Sequence, residues 1–82
     1  MYYVYIIQSE EDGSFYIGYS SDVANRLEQH NNSKRGYTSN KQPWKVVYTE
    51  KYKTKTEAIK REYFLKRQKN RKFYEQLIKT GQ

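Results

Sequence analysis

The chain contains no cysteine, which removes disulfides and thiolate metal centres together. It has a single histidine, His30, so a zinc site built from several imidazoles is excluded as well. The apolar opening Met1-Tyr2-Tyr3-Val4-Tyr5-Ile6-Ile7 runs seven residues, far short of the ~20 needed to span a bilayer. It lacks a basic leader region and a small-residue cleavage site, so it reads as a strand and not as a signal peptide. No repeat, linker or low-complexity stretch interrupts the sequence. Eighty-two residues close around one core, giving one domain over residues 1–82. The protein is expected in a reducing cytoplasm, away from membranes.

What the chain has in excess is positive charge. Lys and Arg total 16 against 9 Asp and Glu, a net of +7. The distribution is lopsided: residues 1–32 hold Arg26 and five acids, whereas residues 33–82 hold 15 basic and 4 acidic residues. Like charges gathered in one half repel one another, and a polyanionic partner is the usual compensation, although a lysine-rich solubilising surface gives the same count. Ten tyrosines accompany the lysines. Aromatic faces stack on bases and phenol hydroxyls bond phosphate oxygens, which suits a nucleic-acid surface.

Tyr2 to Gln8 and Phe15 to Tyr19 are rich in aromatic and β-branched residues, and the Asp12-Gly13 pair between them signals a turn. The expectation is a hairpin with Tyr3, Tyr5 and Ile7 on one face and Tyr16 with Gly18 on the second strand. Ser20, Ser21 and Asp22 offer N-caps for a helix to about Asn31, on which Arg26 and His30 stand four residues apart. Residues 32–42 are polar and basic and read as an exposed loop. Pro43 and Trp44 introduce a third strand through Val46, Val47 and Tyr48. Thr54-Lys55-Thr56-Glu57 matches a capping box. The helix behind it should reach about Gln68 with Ala58, Ile59, Tyr63 and Phe64 turned inward. Asn70 caps a last helix carrying Phe73, Tyr74, Leu77 and Ile78, with Gly81 as its C′ residue. The fold class is α/β of the α+β kind: a small three-stranded antiparallel-type sheet flanked by helices, in the order β-β-α-β-α-α.

Three constellations have chemical potential, each with a plainer reading beside it. Arg26 presents a planar fork matched to phosphate, and His30 can hold a proton near neutral pH, but such a pair also suits a solvated helix face. Glu62 sits among Lys60, Arg61, Lys66, Arg67 and Lys69; it either joins Lys66 in a helix salt bridge or offers a carboxylate to a cation such as Mg²⁺. Tyr5 and Tyr16 can reach one sheet face as a hydroxyl pair, or serve as packing.

In order, these elements resemble the GIY-YIG nuclease family. Tyr3-Val4-Tyr5 stands where the family has Gly-Ile-Tyr, with Tyr3 in place of the glycine, and Tyr16-Ile17-Gly18 is its Tyr-Ile-Gly element intact. The stretch from Gly18 to Asn31 is similar to the family's helix with an essential Arg and a following His. Glu57 to Glu62 is similar to the helix that supplies its metal-binding Glu. Gly36-Tyr37-Thr38 leading into Pro43-Trp44 resembles small stand-alone bacterial members akin to the UvrC N-terminal endonuclease domain. The resemblance spans residues 2 to about 79.

The resemblance implies a metal-dependent endonuclease that hydrolyses phosphodiester bonds in nucleic acid, DNA being the expected substrate, with repair or recombination as the setting. It implies Tyr5 as general base tuned by Tyr16 and His30, Arg26 as clamp on the scissile phosphate, and Glu62 as ligand to a single Mg²⁺ or Mn²⁺. Backbone contacts are expected from Lys34, Arg35, Lys41, Lys66, Lys69, Arg71 and Lys72, with Tyr37, Thr38 and Asn70 beside them. The alternatives are a non-catalytic nucleic-acid-binding module of the same fold and an adaptor binding an acidic protein partner.

Overall fold

The computed structural model describes residues 1–81, apart from the side chain of Tyr37. Strand β1 (Tyr2–Ser9) is the centre of a three-stranded sheet, flanked antiparallel by β2 (Phe15–Ser20) and β3 (Trp44–Tyr52). Between them run α1 (Val23–Asn32) and a 3₁₀ turn (Tyr37–Lys41); α2 (Lys55–Gln68) and α3 (Arg71–Gly81) follow β3. The architecture is thus α+β in the expected order.

Local chemistry accounts for the boundaries. Gly13 adopts φ 78° at the hairpin turn, a conformation open to glycine without a Cβ penalty, and the Asp12 carboxylate accepts from Ser14 N at 2.9 Å. Asp22 caps α1 by accepting from Asn25 N at 3.0 Å. Thr54 and Glu57 form a reciprocal capping box at the start of α2. Lys69 ends that helix in the left-handed region at φ 46°, and Asn70 Oδ1 accepts from Phe73 N at 3.3 Å to open α3.

Helices cover both faces of β1, so Val4, Tyr5, Ile6 and Ile7 are all fully buried. Alternation sorts them. Val4 and Ile6 join Ile17, Tyr48, Ala58, Leu65 and Tyr74 under α2 and α3. Tyr5 and Ile7 join Trp44 on the other face, against Val23 and Leu27 of α1.

Three expectations are corrected. Ile59, Tyr63 and Phe64 are exposed; α2 buries Ala58, as expected, and with it Leu65. The cause is Arg61, which turns inward to form a two-pronged ion pair with Glu50 of β3, at 2.8 and 3.0 Å. Gly81 ends α3 as a helical residue packed onto Tyr48, where a Cβ would collide with that ring. Residues 32–42 are not wholly exposed: Thr38 is buried and its carbonyl accepts from Trp44 Nε1 at 2.9 Å, while Ser9 Oγ donates to the Lys41 carbonyl at 2.6 Å.

Candidate active site

The register of β1 against β2 places Tyr5 opposite Gly18 and Ile7 opposite Tyr16. Because Gly18 has no side chain, the Tyr5 ring lies across it; a Cβ there would stand 2.5 Å from the Tyr5 hydroxyl. That hydroxyl meets His30 Nε2 at 3.0 Å. His30 is buried at the inner side of α1 and its ring lies 4.8 Å from that of Tyr16, edge to face. Strand pairing and one helix thus gather three side chains separated by up to 25 positions.

Two amides hold α1 in place beneath this cluster. Asn31 grips the start of β3 twice, donating to the Trp44 carbonyl at 3.1 Å and accepting from its N–H at 2.6 Å. Gln42 donates to the His30 carbonyl at 2.7 Å and to that of Ser33 at 2.8 Å. Sequence reasoning missed both residues, and an isolated amide carries no signal that marks it as a brace.

Above Gly18 opens a cleft of about 310 Å³ lined by Tyr16, Gly18, Arg26, Lys55 and Glu62, among others. Arg26, solvent-exposed one turn before His30 on the same face, comes from α1 and Glu62 from α2. Lys55 was also unanticipated, although it stands seven residues, two helical turns, before Glu62. The Glu62 carboxylate is only 16 % exposed and pairs with Lys66 at 3.5 Å, so the helix salt bridge and the cleft position coexist. Tyr5 is not among the residues that line the cleft, although its hydroxyl lies against Gly18, which does.

The electrostatics follow from burial. Burial pushes the Tyr5 phenol above its ordinary value, against the opposing pull of the nearby Arg26 guanidinium. Burial likewise holds His30 below 6.5, and Arg26 adds to this. The resting pair at neutral pH is therefore a phenol beside a neutral imidazole. With the imidazole proton on Nδ1, Tyr5 donates to Nε2.

The expected phosphate contacts are dispersed. Lys34, Arg35 and Lys72 are exposed, without side-chain partners among the described residues. Lys69 is exposed at the α2–α3 junction. Lys41 is paired with Asp12. Arg71 bonds Glu75 at 2.9 Å and the Gly13 carbonyl at 3.0 Å, tying α3 to the hairpin turn. Lys66 reaches the cleft through Glu62. Asn70 is occupied as a cap and Thr38 is buried; the Tyr37 side chain lies outside the described residues.

Among the described residues no three His, Cys, Asp or Glu side chains cluster as a metal cage. One carboxylate in an open cleft does suit Mg²⁺ or Mn²⁺, since an ion of the Mg²⁺ type keeps several waters and takes phosphate oxygens. No described helix is long and apolar enough to cross a membrane.

The model of the GIY-YIG catalytic domain matches residues 1–75. A UPF0213 protein of Staphylococcus epidermidis is 48% identical over 66 residues, 79% of either chain. One of Staphylococcus saprophyticus is 44% identical over the same share. The solution NMR structure of a UPF0213 protein from Bacillus halodurans superposes with a TM-score of 0.59 at 36% identity, covering 96% of this chain and 84% of that one. With the family model matched over residues 1–75 and relatives of this identity covering most of both chains, this chain belongs to the GIY-YIG family.

Proposed function

We propose that the protein is an endonuclease that hydrolyses phosphodiester bonds in DNA with a single Mg²⁺ or Mn²⁺. The observation that carries this reading is the meeting of Tyr16, Arg26 and Glu62 at one cleft, with the bonded Tyr5–His30 pair next to its Gly18. A binding module needs the positive surface but not a buried phenol–imidazole pair beside its groove.

Hydrolysis requires a proton acceptor for the attacking water and charge to oppose the developing oxyanion. Arg26 would grip the scissile phosphate through its planar fork, with Lys55 adding positive charge from the opposite wall. The Tyr5 hydroxyl would accept the water's proton while passing its own to neutral His30, so that no free phenolate is needed. For this, water in the cleft would have to reach the Tyr5 hydroxyl, which lies against Gly18 of the cleft lining. Glu62 would hold the cation, which when bound supplies charge neutralisation at the phosphate and leaving oxygen. Lys66, already on Glu62, would release or share that carboxylate.

The test is cleavage of labelled duplex, branched and single-stranded DNA with Mg²⁺ or Mn²⁺. Wild type should cut, and Arg26→Ala and Glu62→Gln should lose cutting while keeping their fold and most of their DNA affinity. Tight binding with no cutting under either metal would return the reading to a binding module.

A further inference from the structure

On the other side of Tyr16 lies a second hollow, of about 320 Å³, lined by Phe15, Tyr16, Ile17, Lys66 and Tyr74. Tyr16 is the wall it shares with the cleft. Phe15 and Tyr74 meet edge to face at 5.9 Å. The Lys66 ammonium stands 6.0 Å over the Tyr16 ring and 3.5 Å from the Glu62 carboxylate, so a lysine of the hollow is paired with a carboxylate of the cleft. The Arg71 guanidinium lies 4.7 Å over the Phe15 ring. The hollow therefore combines flat apolar rings with two cations close by.

That combination suits a flat heteroaromatic ring carried on an anionic chain. We propose that the hollow receives the base of the nucleotide next to the scissile phosphate. The substrate is accordingly DNA with an unpaired nucleotide beside the cut, such as a flap, gap or bulge. The inference rests on the nuclease reading, since the occupant is the strand that lies in the cleft. Continuity with the cleft through the shared Tyr16 and the Lys66–Glu62 pair selects this occupant over a peptide or lipid. A base inside an uninterrupted duplex is stacked on both sides and must be extruded before it can enter, whereas an unpaired one enters at least cost. Stacking on an aromatic ring changes affinity by roughly 5- to 150-fold per base, enough to separate the two kinds of DNA.

The experiment places 5-iodouracil at successive positions around the branch of a flap duplex bound to wild-type protein in EDTA. Under long-wavelength ultraviolet light this base cross-links to an aromatic ring stacked on it. Cross-links from one or two adjacent positions to Phe15, Tyr16 or Tyr74, mapped by mass spectrometry, are the expected result. Cross-links elsewhere, or none from a complex that has formed, overturn the proposal. Phe15→Leu, which keeps apolar volume but removes the ring, should weaken flap binding by roughly 5- to 150-fold and leave uninterrupted duplex binding unchanged. Phe15→Tyr should restore flap binding; equal losses on both DNAs overturn the proposal. Should Phe15→Leu fail to fold, the wild-type cross-links decide. Because binding is read without metal, the two readings separate. A cross-link in the hollow without cutting sinks the nuclease alone, and cutting without that cross-link sinks the hollow alone. A protein that binds no DNA sinks both.

Discussion

The Tyr5 ring crosses its strand partner Gly18 so closely that the space of one methyl group at Gly18 is already filled by the Tyr5 hydroxyl, 2.5 Å from where a Cβ would stand. The glycine of the Tyr-Ile-Gly element thus has a steric reason. It gives the phenol room to reach His30.

Gly18→Ala should consequently displace Tyr5 from a fully packed position. Overpacking of this kind costs about 1–3 kcal/mol, and DNA cutting should fall further than stability because the Tyr5–His30 bond is lost. Denaturant melts paired with cleavage rates check this. A variant with wild-type stability and rate would show that the ring moves aside freely.

Acidification should weaken both fold and activity through His30. Its folded pKa is held below the unfolded 6.5, so the unfolded state binds the proton first. The corresponding stability is complete above pH 6.5 and disappears as pH falls through the lowered folded value. Protonated His30 also has no lone pair for the Tyr5 proton, so cutting should fail over the same window. Urea melts and cleavage rates across that range, wild type beside His30→Gln, test this; an equal slope in both would remove His30 as the cause.

Glu50→Gln should destabilise the protein by about 1–3 kcal/mol, since one side of a half-buried network loses its charge. The Glu50 carboxylate accepts from Arg61 and from the hydroxyls of Tyr48 and Tyr52. Burial, reinforced by that carboxylate, pushes both phenols up to about 12. Burial opposes the Glu50 charge, yet these donors hold its carboxyl below the ordinary 4.5. Thermal melting of the variant, with Arg61 intact, gives the magnitude. A loss below a few tenths would show the network to be slack.

Binding to DNA should weaken steeply with salt, with each phosphate contact contributing roughly 0.7–0.9 to the log–log slope. Neutralising Lys34, Arg35 or Lys72 should reduce that slope by about one contact each without affecting stability, because these side chains have no partner among the described residues. Arg71→Gln should behave differently and loosen the hairpin turn it bonds at Gly13. Fluorescence anisotropy at several salt concentrations, alongside melting, separates the two classes.

Much of the fold was legible because local signals stood where local physics acts: Asp12-Gly13 at the turn, Asp22 and Thr54 at helix starts, Asn70 before α3. The inner face of α2 was not. Apolar spacing nominated Ile59, Tyr63 and Phe64 beside Ala58, but the inner face carries Arg61, paired with Glu50 of β3, and apolar periodicity does not register an inward arginine. Gly81 looked like a helix stop because its spatial partner Tyr48 lies far away in sequence. The candidate site was legible residue by residue only through family likeness. That Tyr5 and His30 touch is a fact of strand register and helix placement, which the chain reveals only when folded.

The Arg61–Glu50 pair has one more consequence. Arg61 directly precedes Glu62, so the angle between them around the helix axis is fixed at ~100°, and anchoring one aims the other at the cleft. Residues 50 and 61 are not among those that line the cleft, yet a lineage that altered either alone would re-aim the carboxylate that does. Inherited change at these two positions is therefore expected to occur as a couple, and to be felt in chemistry before it is felt in folding.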